Sequence, residues 1–270
     1  CIDRHLPRKA NDTAIIFEGD DPTVDEKITY QELKNEVCKL ANGLKEIGVQ
    51  KGDRVTIYMP MVPQAVYSML ACARIGAVHS FVFGGFSADS LSGRIMDCKS
   101  EFVITADQGV RGAKVIPLKN TTDEALEKCP DVKKCVVLKH TGADINMNEG
   151  KDVWYHDITK KVSSNCEPEE MNAEDPLFIL YTSGSTGKPK GVMLTHDNIL
   201  NGGKNVQLSH NLNKSDKALC VLPLYHINGF IVTVMGPLVS QSSVVLCEKF
   251  SATNFWHQIS EFKCTWFSIV

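Results

Sequence analysis

The sequence predicts an α/β fold in which parallel sheets are flanked by helices. Short β-rich apolar runs alternate with longer segments of helical apolar spacing, and this alternation is typical of parallel strands covered by helices. Two of the apolar runs end at a glycine pair or a polar loop, as strands of such sheets do. The 270 residues are 43% hydrophobic and 23% charged, which is ordinary for a soluble globular protein with a substantial core.

A helix that begins after Thr29 is the first element that the pattern predicts in detail. Thr29 and Glu32 have the spacing of a capping box, in which each side chain bonds the backbone amide of the other residue. Apolar residues then recur at helical spacing as far as Ile47, and Gly48 suits the C-terminal cap. The elements predicted next are a strand at 54–59, a helix from Pro63 through Ile75, a strand at 79–83, a helix from Ser90 to about Lys99 and a strand at 102–106.

The second half of the chain is predicted to resume this core after a polar stretch. Residues 140–176 are irregular and rich in charge, which indicates a surface excursion rather than a linker between domains. The run Cys264–Val270 indicates a buried strand, and because a domain seldom ends on such an element we expect the chain to be a fragment. The other elements predicted here are strands at 177–181, 218–222 and 244–247 and helices near 196–208 and 253–262.

Charge and cysteine content exclude some classes of protein. The formal net charge is −3 and the pI is near 6.3, which argues against a nucleic-acid binder. No apolar run reaches membrane-spanning length. The ten cysteines are scattered, without Cys-x-x-Cys or Cys/His metal spacing, as is typical of reduced cysteines in a cytoplasmic compartment. The chain starts without Met, so a mitochondrial or other targeting segment upstream stays open.

The stretch Tyr181–Gly191 is the most informative part of the chain. It reads YTSGSTGKPKG and follows an apolar run. Its glycines permit tight backbone conformations, its hydroxyls and amides can bond phosphate oxygens, and its lysines add positive charge. It is not a Walker A loop, because the glycine spacing is too short and Pro189 stands where Ser or Thr would bind magnesium. A loop that holds a polyphosphate is the favoured interpretation, and a linker rich in Gly, Ser and Thr is the alternative.

This stretch resembles the phosphate-loop signature of the adenylate-forming superfamily, which includes acyl-CoA synthetases, peptide-synthetase adenylation domains and luciferases. The resemblance implies that the loop handles the β- and γ-phosphates of ATP while a carboxylate attacks the α-phosphate, with Lys188 as a catalytic residue and Mg2+ as a cofactor. It also implies that 1–270 is a partial adenylation domain, part of the large N-terminal domain and truncated at both ends, without the mobile C-terminal domain. The implied nucleotide-binding residues are Thr182, Ser183, Gly184, Ser185, Thr186, Gly187 and Lys188.

Residues 1–192 resemble acetyl-CoA synthetases in particular. The matching runs are long, and runs of this length are more specific than the phosphate loop alone. They are Cys1–Leu6, Ile57–Pro63, Met69–Ser80, Phe83–Phe86 and Asn172–Leu177.

A polar loop after the strand at 102–106 carries Arg111 and Lys114 three residues apart. An arginine fork and a lysine point charge can together grip a phosphate. In acetyl-CoA synthetases the matching loop contacts the phosphates of coenzyme A, and the turn at Phe83 lies against its adenine. The implied coenzyme A-binding residues are Phe83, Gly84, Gly85, Arg111, Gly112, Ala113 and Lys114. The family commonly has Arg at the position of Lys114, so here the charge is kept and the bidentate contact is lost.

Purely structural interpretations of these predicted coenzyme A-binding residues stay open beside the functional one. Arg111 and Lys114 would fit an exposed basic loop, since surface lysine and arginine are the rule. For Phe83 we expect the role of a core aromatic to be the main one.

After Val192 the resemblance changes to generic acyl-CoA ligases and peptide synthetases, on the segments Met193–Leu200 and Leu222–Gly229. In the acyl-ligase branch an aromatic–histidine pair borders the acyl pocket and the adenylate. This implies His226 as a catalytic residue, and the alternative is a satisfied histidine at a strand end. The implied acyl-pocket residues are Tyr225, His226, Ile227 and Asn228. Because the family's acetate pocket is partly formed by this segment, the sequence does not fix the carboxylate.

These observations together predict an ATP-dependent acyl-CoA synthetase of the acetate–CoA ligase type, which activates a short carboxylate to acyl-AMP and then forms the coenzyme A thioester. The alternatives are a ligase for longer acyl chains or for a carrier protein, and a catalytically incomplete nucleotide-binding fragment. Gly84, Arg111 and Ser183 all follow predicted parallel strands, at whose carboxyl ends ligands bind. The expected partners are a small carboxylate, ATP and coenzyme A, with no nucleic acid and no membrane span. The sequence indicates neither metal ligands nor the oligomeric state.

Overall fold

The chain folds as two compact units. A computed structural model describes residues 2–19, 23, 25–111, 114–182 and 189–269. Unit 1 consists of Cys1–Asn35, Met61–Pro63 and His196–Val270, and unit 2 consists of Glu36–Pro60 and Gln64–Thr195.

The helices and strands alternate along much of the chain. The helices are α1 (Leu6–Lys9), α2 (Tyr30–Glu46), α3 (Pro63–Arg74), α4 (Ala88–Cys98), α5 (Leu118–Leu126), α6 (Tyr155–Lys160), α7 (His196–Ser209), α8 (Gly236–Ser240) and α9 (Phe255–Glu261), with a 3-10 helix at Asp3–His5 and a π-helix at Asn228–Met235. The strands are β1 (Thr13–Glu18), β2 (Asp25–Thr29), β3 (Arg54–Met59), β4 (Val78–Phe83), β5 (Phe102–Ala106), β6 (Gly109–Arg111), β7 (Lys114–Ile116), β8 (Lys134–Leu138), β9 (Asp152–Trp154), β10 (Pro176–Thr182), β11 (Lys190–Thr195), β12 (Lys217–Cys220), β13 (Ser243–Cys247) and β14 (Trp266–Phe267).

Unit 2 is built on a sheet with the strand order β11-β10-β4-β3-β5-β8-β9. From β10 to β9 the neighbouring strands are parallel, and only β11 pairs with its neighbour in the antiparallel sense. Buried side chains of β3, β4 and β5 form one hydrophobic cluster with side chains of α4 and α5. This arrangement confirms the predicted α/β fold with parallel sheets flanked by helices.

Unit 1 is built on a second sheet with the strand order β14-β12-β13-β1-β2. The strands β14, β12, β13 and β1 are parallel neighbours, and β2 pairs with β1 in the antiparallel sense. Side chains of β1, β12 and β13 pack with Phe255 of α9 in a hydrophobic cluster.

The predicted start of helix α2 is confirmed in atomic detail. The backbone amide of Thr29 donates to Glu32 Oε2 at 2.8 Å, and the amide of Glu32 donates back to Thr29 Oγ1 at 3.2 Å. These are the two reciprocal bonds of a capping box. The predicted strands at 54–59 and 102–106 coincide with β3 and β5.

The polar loop predicted after β5 is instead a two-stranded hairpin. Strands β6 and β7 pair in the antiparallel sense, with Gly109 opposite Ile116 and Arg111 opposite Lys114. Each of these strands has only three residues, too few for a recognisable alternation, so their pairing has no clear signature in the sequence.

The prediction of a buried strand at Cys264–Val270 is wrong. Of the residues 264–269 that the structure describes here, Trp266–Phe267 alone form a strand, and it lies at the edge of the unit 1 sheet. Ile269 is 62% exposed and Phe267 is 37% exposed. A run of apolar residues indicates β structure, but it does not indicate whether both faces of an edge strand are covered.

The stretch 140–176 is mostly irregular, as expected, but it also extends the sheet. Strand β9 pairs with β8 at the edge, and the side chain of Asp152 lies 2.9 Å from the Nζ of the fully buried Lys119. A second carboxylate, Asp123, lies 2.5 Å from the same nitrogen. A buried ammonium needs such partners to offset the loss of water, so this cluster ties β9 to helix α5.

The cysteines that the structure describes are all free thiols. Within the same residues, no helix is long and apolar enough to cross a membrane.

Candidate functional site

The candidate site of unit 2 lies at the carboxyl ends of the parallel strands β4, β5 and β10. Strands β10, β4, β3 and β5 are neighbours in that order, so their carboxyl ends share one edge of the sheet. The chain passes from β3 to β4 on one side and returns to β5 on the other side of β3, which creates a topological switch point between β3 and β5. Ligands of open α/β sheets bind at such points, and the predicted coenzyme A and nucleotide residues follow β4, β5 and β10.

The β6–β7 hairpin presents two cations beside each other at this edge. Arg111 and Lys114 are register partners on the two strands, and both side chains are exposed. The positions between them, Gly112 and Ala113, lie outside the described residues. Two adjacent exposed cations can bind an anionic group of a ligand, with the guanidinium offering a fork of donors.

Phe83 links the end of β4 to this hairpin. The guanidinium carbon of Arg111 lies 5.6 Å from the centroid of the Phe83 ring, and the Phe86 ring meets the Phe83 ring edge-on at 5.4 Å. Phe83 is half-buried, so the expectation of a core aromatic is not met, and part of its side chain remains accessible.

The glycine pair after β4 has a steric reason. A Cβ atom on Gly85 would come within 2.6 Å of the Phe83 ring, closer than side-chain atoms pack. Gly84 is buried, and its neighbours include Leu118 and the backbone of Met59. Glycine at these positions therefore lets the chain turn tightly beside the Phe83 ring.

Asp107 anchors the start of the hairpin, and the sequence alone did not indicate this role. Its Oδ1 accepts the amides of Gln108 at 2.7 Å and His140 at 2.9 Å, and its Oδ2 accepts the amides of Gly142 at 2.7 Å and Ala143 at 3.1 Å. Burial by itself raises the pKa of this carboxyl, but the backbone hydrogen bonds outweigh it and hold the pKa of Asp107 below its ordinary value. Asp107 thus joins the loop after β5 to the loop after β8.

The predicted nucleotide loop begins where β10 ends. Thr182 is exposed, and it is paired with Lys190, the first residue of the returning strand β11. Ser183, Gly184, Ser185, Thr186, Gly187 and Lys188 lie outside the described residues. The strands on both sides of the loop are therefore paired as far as Thr182 and Lys190.

Tyr181, the residue before Thr182, is fixed by helix α4. Its hydroxyl donates to Asp97 Oδ2 at 2.6 Å. The guanidinium of Arg94 lies over two aromatic rings, 5.4 Å from the centroid of Tyr181 and 4.5 Å from that of Phe86. Neither Arg94 nor Asp97 was indicated by the sequence, because their roles depend on which rings the fold brings to helix α4.

The acyl-pocket residues predicted in the second half all belong to unit 1. The rings of Tyr225 and His226 lie 5.0 Å apart, and the side chains of His226 and Ile227 are exposed. Asn228 Oδ1 accepts a hydrogen bond from Ser268 at 3.0 Å. His226 is not at a strand end but in the turn between β12 and the π-helix, where its amide donates to the carbonyl of Pro223 at 3.0 Å.

The π-helix that follows His226 is an uncommon element. The i→i+5 hydrogen-bond geometry is rare in proteins, and where it does occur it often lies at a functional site. Gly229 lies at its start, where a Cβ atom would come within 2.2 Å of the carbonyl oxygen of Pro223. Only glycine allows this close approach of the two backbone segments.

The part of the chain that the structure describes contains no cluster of three or more His, Cys, Asp and Glu side chains that could hold a metal ion.

The fold is that of an AMP-binding enzyme. The chain matches that family over residues 2–270 and belongs to it. It is similar to acetyl-coenzyme A synthetases of Parvibaculum lavamentivorans, with 58% identity over 92% of this chain, and of Mesorhizobium japonicum, with 50% identity over 97%. A third such relative, from Gamma-proteobacterium EBAC31A08, is 51% identical over 97% of this chain.

The chain spans only about two-fifths of the length of these relatives, between 38% and 42%. The sequence analysis predicts that the likeness to acetyl-coenzyme A synthetases stops at Val192. This prediction is wrong, because alignments that cover 97% of the chain continue past that residue. The resemblance of the later segments to generic acyl-CoA ligases stays a prediction.

Proposed function

We propose that the protein containing this chain is an ATP-dependent acyl-CoA synthetase of the acetate–CoA ligase type. The observation that carries the proposal is the 58% identity to an acetyl-coenzyme A synthetase over 92% of the chain. The position of the candidate groups at the carboxyl ends of parallel strands supports it, because ligands of such sheets bind there.

The first half-reaction is adenylation. A carboxylate oxygen attacks the α-phosphorus of ATP, a P–O bond forms, and the bond to the bridging oxygen breaks, so that pyrophosphate leaves with the electron pair. Thr182 and the loop residues Ser183–Lys188 would donate hydrogen bonds and positive charge to the leaving group, and preorganised donors of this kind stabilise developing charge. Magnesium would be bound through the phosphates of ATP, with water and one or two carboxylates completing its coordination, as is common.

The second half-reaction transfers the acyl group to coenzyme A. The thiolate sulfur attacks the acyl carbon, a C–S bond forms, and the C–O bond to AMP breaks. Arg111 and Lys114 would bind phosphates of coenzyme A, and the accessible part of Phe83 would contact its adenine. The exposed pair of cations at the hairpin supports this role, since the chain as a whole is acidic, with a net charge of −3.

The acyl group would lie near the segment Tyr225–Asn228. His226 carries an exposed imidazole and would act as the catalytic residue beside the acyl group. Tyr225, Ile227 and Asn228 would border the acyl chain, and their identities leave the length of that chain open.

Two substitutions separate the two half-reactions. In the protein that contains this chain, Lys188→Ala should lower carboxylate-dependent ATP–pyrophosphate exchange, because the loop loses a cation that stabilises the leaving group. Arg111→Ala should raise the KM for coenzyme A and leave the exchange reaction unchanged. The matched control is Lys133→Ala, which removes an exposed cation just before β8, at the opposite edge of the sheet.

The outcomes discriminate clearly. Wild-type exchange rates in Lys188→Ala would remove the loop from the mechanism, and an unchanged KM for coenzyme A in Arg111→Ala would remove the hairpin from coenzyme binding. Exchange without any thioester product from free coenzyme A would point to another acyl acceptor, such as the thiol of a carrier protein.

A further inference from the structure

Arg94 is a buried charge in helix α4. Arg94 is only 8% exposed. Its Nη1 donates to the carbonyl oxygen of Ser90 at 2.7 Å and to the hydroxyl of Ser90 at 2.5 Å. No carboxylate of the described residues forms a salt bridge with it. Burial of a guanidinium without a carboxylate partner is unfavourable unless other groups interact with the charge. The aromatic rings around Arg94 are such groups.

The guanidinium lies between two aromatic side chains that belong to different parts of the candidate site. Phe86 is the nearer ring, at 4.5 Å, and it contacts Phe83, the ring beneath Arg111. The backbone of Phe86 is held in turn, because its carbonyl accepts the hydroxyl of Tyr58 at 2.8 Å. One side of Arg94 therefore faces the aromatic pair next to the β6–β7 hairpin.

The other ring, Tyr181, lies at the base of the predicted nucleotide loop. Two residues of helix α4 contact Tyr181. The guanidinium of Arg94 lies 5.4 Å from the ring centroid, and Asp97, one turn further along, accepts a hydrogen bond from the phenol hydroxyl. Burial and the bond to Asp97 raise the pKa of Tyr181, so the hydroxyl remains a donor at neutral pH. Tyr181 is followed directly by Thr182, the first predicted nucleotide-binding residue.

We propose that Arg94 is a positioning residue, which sets the orientation of Phe86 and Phe83 on the coenzyme side and of Tyr181 on the nucleotide side. The inference rests on the proposed function for the identity of the two ligands. A cation between two ring faces restrains both rings through their quadrupoles, whereas an apolar side chain of the same volume would fill the space without orienting them. Because burial of a guanidinium without a carboxylate partner is unfavourable for folding, the charge is explained better by the orientation of the rings than by a gain in stability.

The test compares Arg94→Met, which keeps the length and removes the charge, with Arg94→Lys, which keeps a cation. We expect Arg94→Met to raise both the KM for ATP in pyrophosphate exchange and the KM for coenzyme A in thioester formation by about tenfold, with kcat within about twofold. Arg94→Lys should recover most of both KM values. Arg8→Met, a change at an exposed arginine of α1, is the matched control.

A structural role alone would give a different result. It would lower the midpoint of thermal unfolding in Arg94→Met without raising the two KM values at temperatures where the variant is folded. Unchanged KM values for both ligands in a folded Arg94→Met variant would overturn the proposal.

A second readout does not depend on enzyme activity. The protein is labelled with 3-fluorotyrosine, and separately with 4-fluorophenylalanine, and the ¹⁹F resonances of Tyr181 and Phe86 are assigned with Tyr181→Phe and Phe86→Leu. Both resonances should shift in Arg94→Met and return towards their wild-type positions in Arg94→Lys. If the wild type catalyses no exchange, the proposed function fails, and the fluorine spectra still decide the role of Arg94: resonances that stay in place in Arg94→Met would refute it.

Discussion

Asp107→Asn tests whether a buried carboxylate holds together two loops at the carboxyl edge of the unit 2 sheet, the edge at which its parallel strands have their carboxyl ends. The side chain is fully buried, and each of its oxygens accepts at least two backbone amides from the loops 108 and 140–143. The substitution turns one acceptor oxygen into an NH2 group, which faces donors. At least two amides then lose their partner, and the remaining oxygen loses its negative charge.

The expected cost follows from these bonds. A hydrogen bond to a charged group contributes about 1.5–3 kcal/mol, so two lost bonds give roughly 3–6 kcal/mol. Thr141 and Gly142 are exposed, so water can replace part of the lost interaction in the 140–143 loop. This favours the lower end, and we expect a decrease of about 3 kcal/mol in the free energy of unfolding at pH 7.

The pH dependence gives the sign of the effect independently. The hydrogen bonds lower the pKa of Asp107 in the folded state, so its contribution is present above the unfolded pKa of about 3.9 and is lost as the pH falls through the folded value. The difference between wild type and Asp107→Asn should thus be constant from pH 7 to about pH 5 and should shrink at lower pH.

Urea unfolding followed by circular dichroism measures both effects. The control is Asp144→Asn, an identical change at an exposed residue of the same stretch, which should alter the free energy of unfolding by less than about 0.5 kcal/mol. A cost for Asp107→Asn as small as that of the control, or a cost that grows as the pH falls below 4, would refute the reasoning.

Three further predictions concern local features. Glu32→Ala removes the acceptor of the Thr29 amide in the capping box of α2 and should cost about 0.5–1 kcal/mol in urea unfolding; an increase in stability would contradict it. Gly229→Ala places a Cβ atom 2.2 Å from the Pro223 carbonyl and should cost about 1–3 kcal/mol. Its control is Gly93→Ala in α4, where a Cβ meets no atom within 4 Å and which should be neutral or stabilising. Burial raises the pKa of Cys72 to about 12, so its labelling by a thiol reagent at pH 8 should be much slower in the native protein than in urea, and equal rates would show that it is accessible.

The sequence predicts those elements of the fold that have strong local patterns. Strand β5 and the start of helix α2 were predicted to the residue, because a compact apolar run and a capping box depend on neighbours in the chain. The β6–β7 hairpin could not be predicted in this way, since its short strands lack an apolar alternation. The pairing of β1 with β13 joins segments more than 220 residues apart, and no local pattern encodes its parallel register.

The candidate site divides along the same line. The residues proposed to meet a ligand, such as Arg111 and Thr182, stand in recognisable motifs, because a ligand imposes residue types at fixed spacing. Asp107 and Arg94 act on groups that only the folded chain brings near, respectively the amides of 140–143 and the rings of Phe86 and Tyr181. Their sequence context is an ordinary strand end and an ordinary helix.

The difference between exposed and buried charges has an energetic consequence at the carboxyl edge of the unit 2 sheet. An exposed cation such as Arg111 can bind an anion at little cost to folding, because it stays hydrated when the ligand is absent. The same exposure leaves its side chain mobile, and binding then carries the entropic cost of fixing it. Buried charges near the edge avoid that cost: Asp107 fixes the backbone at the base of the hairpin, and Arg94 faces the Phe86 ring, which packs against Phe83 beneath Arg111. Substitution of an exposed group should therefore weaken one ligand alone, whereas Arg94, which faces rings on both sides, should weaken two.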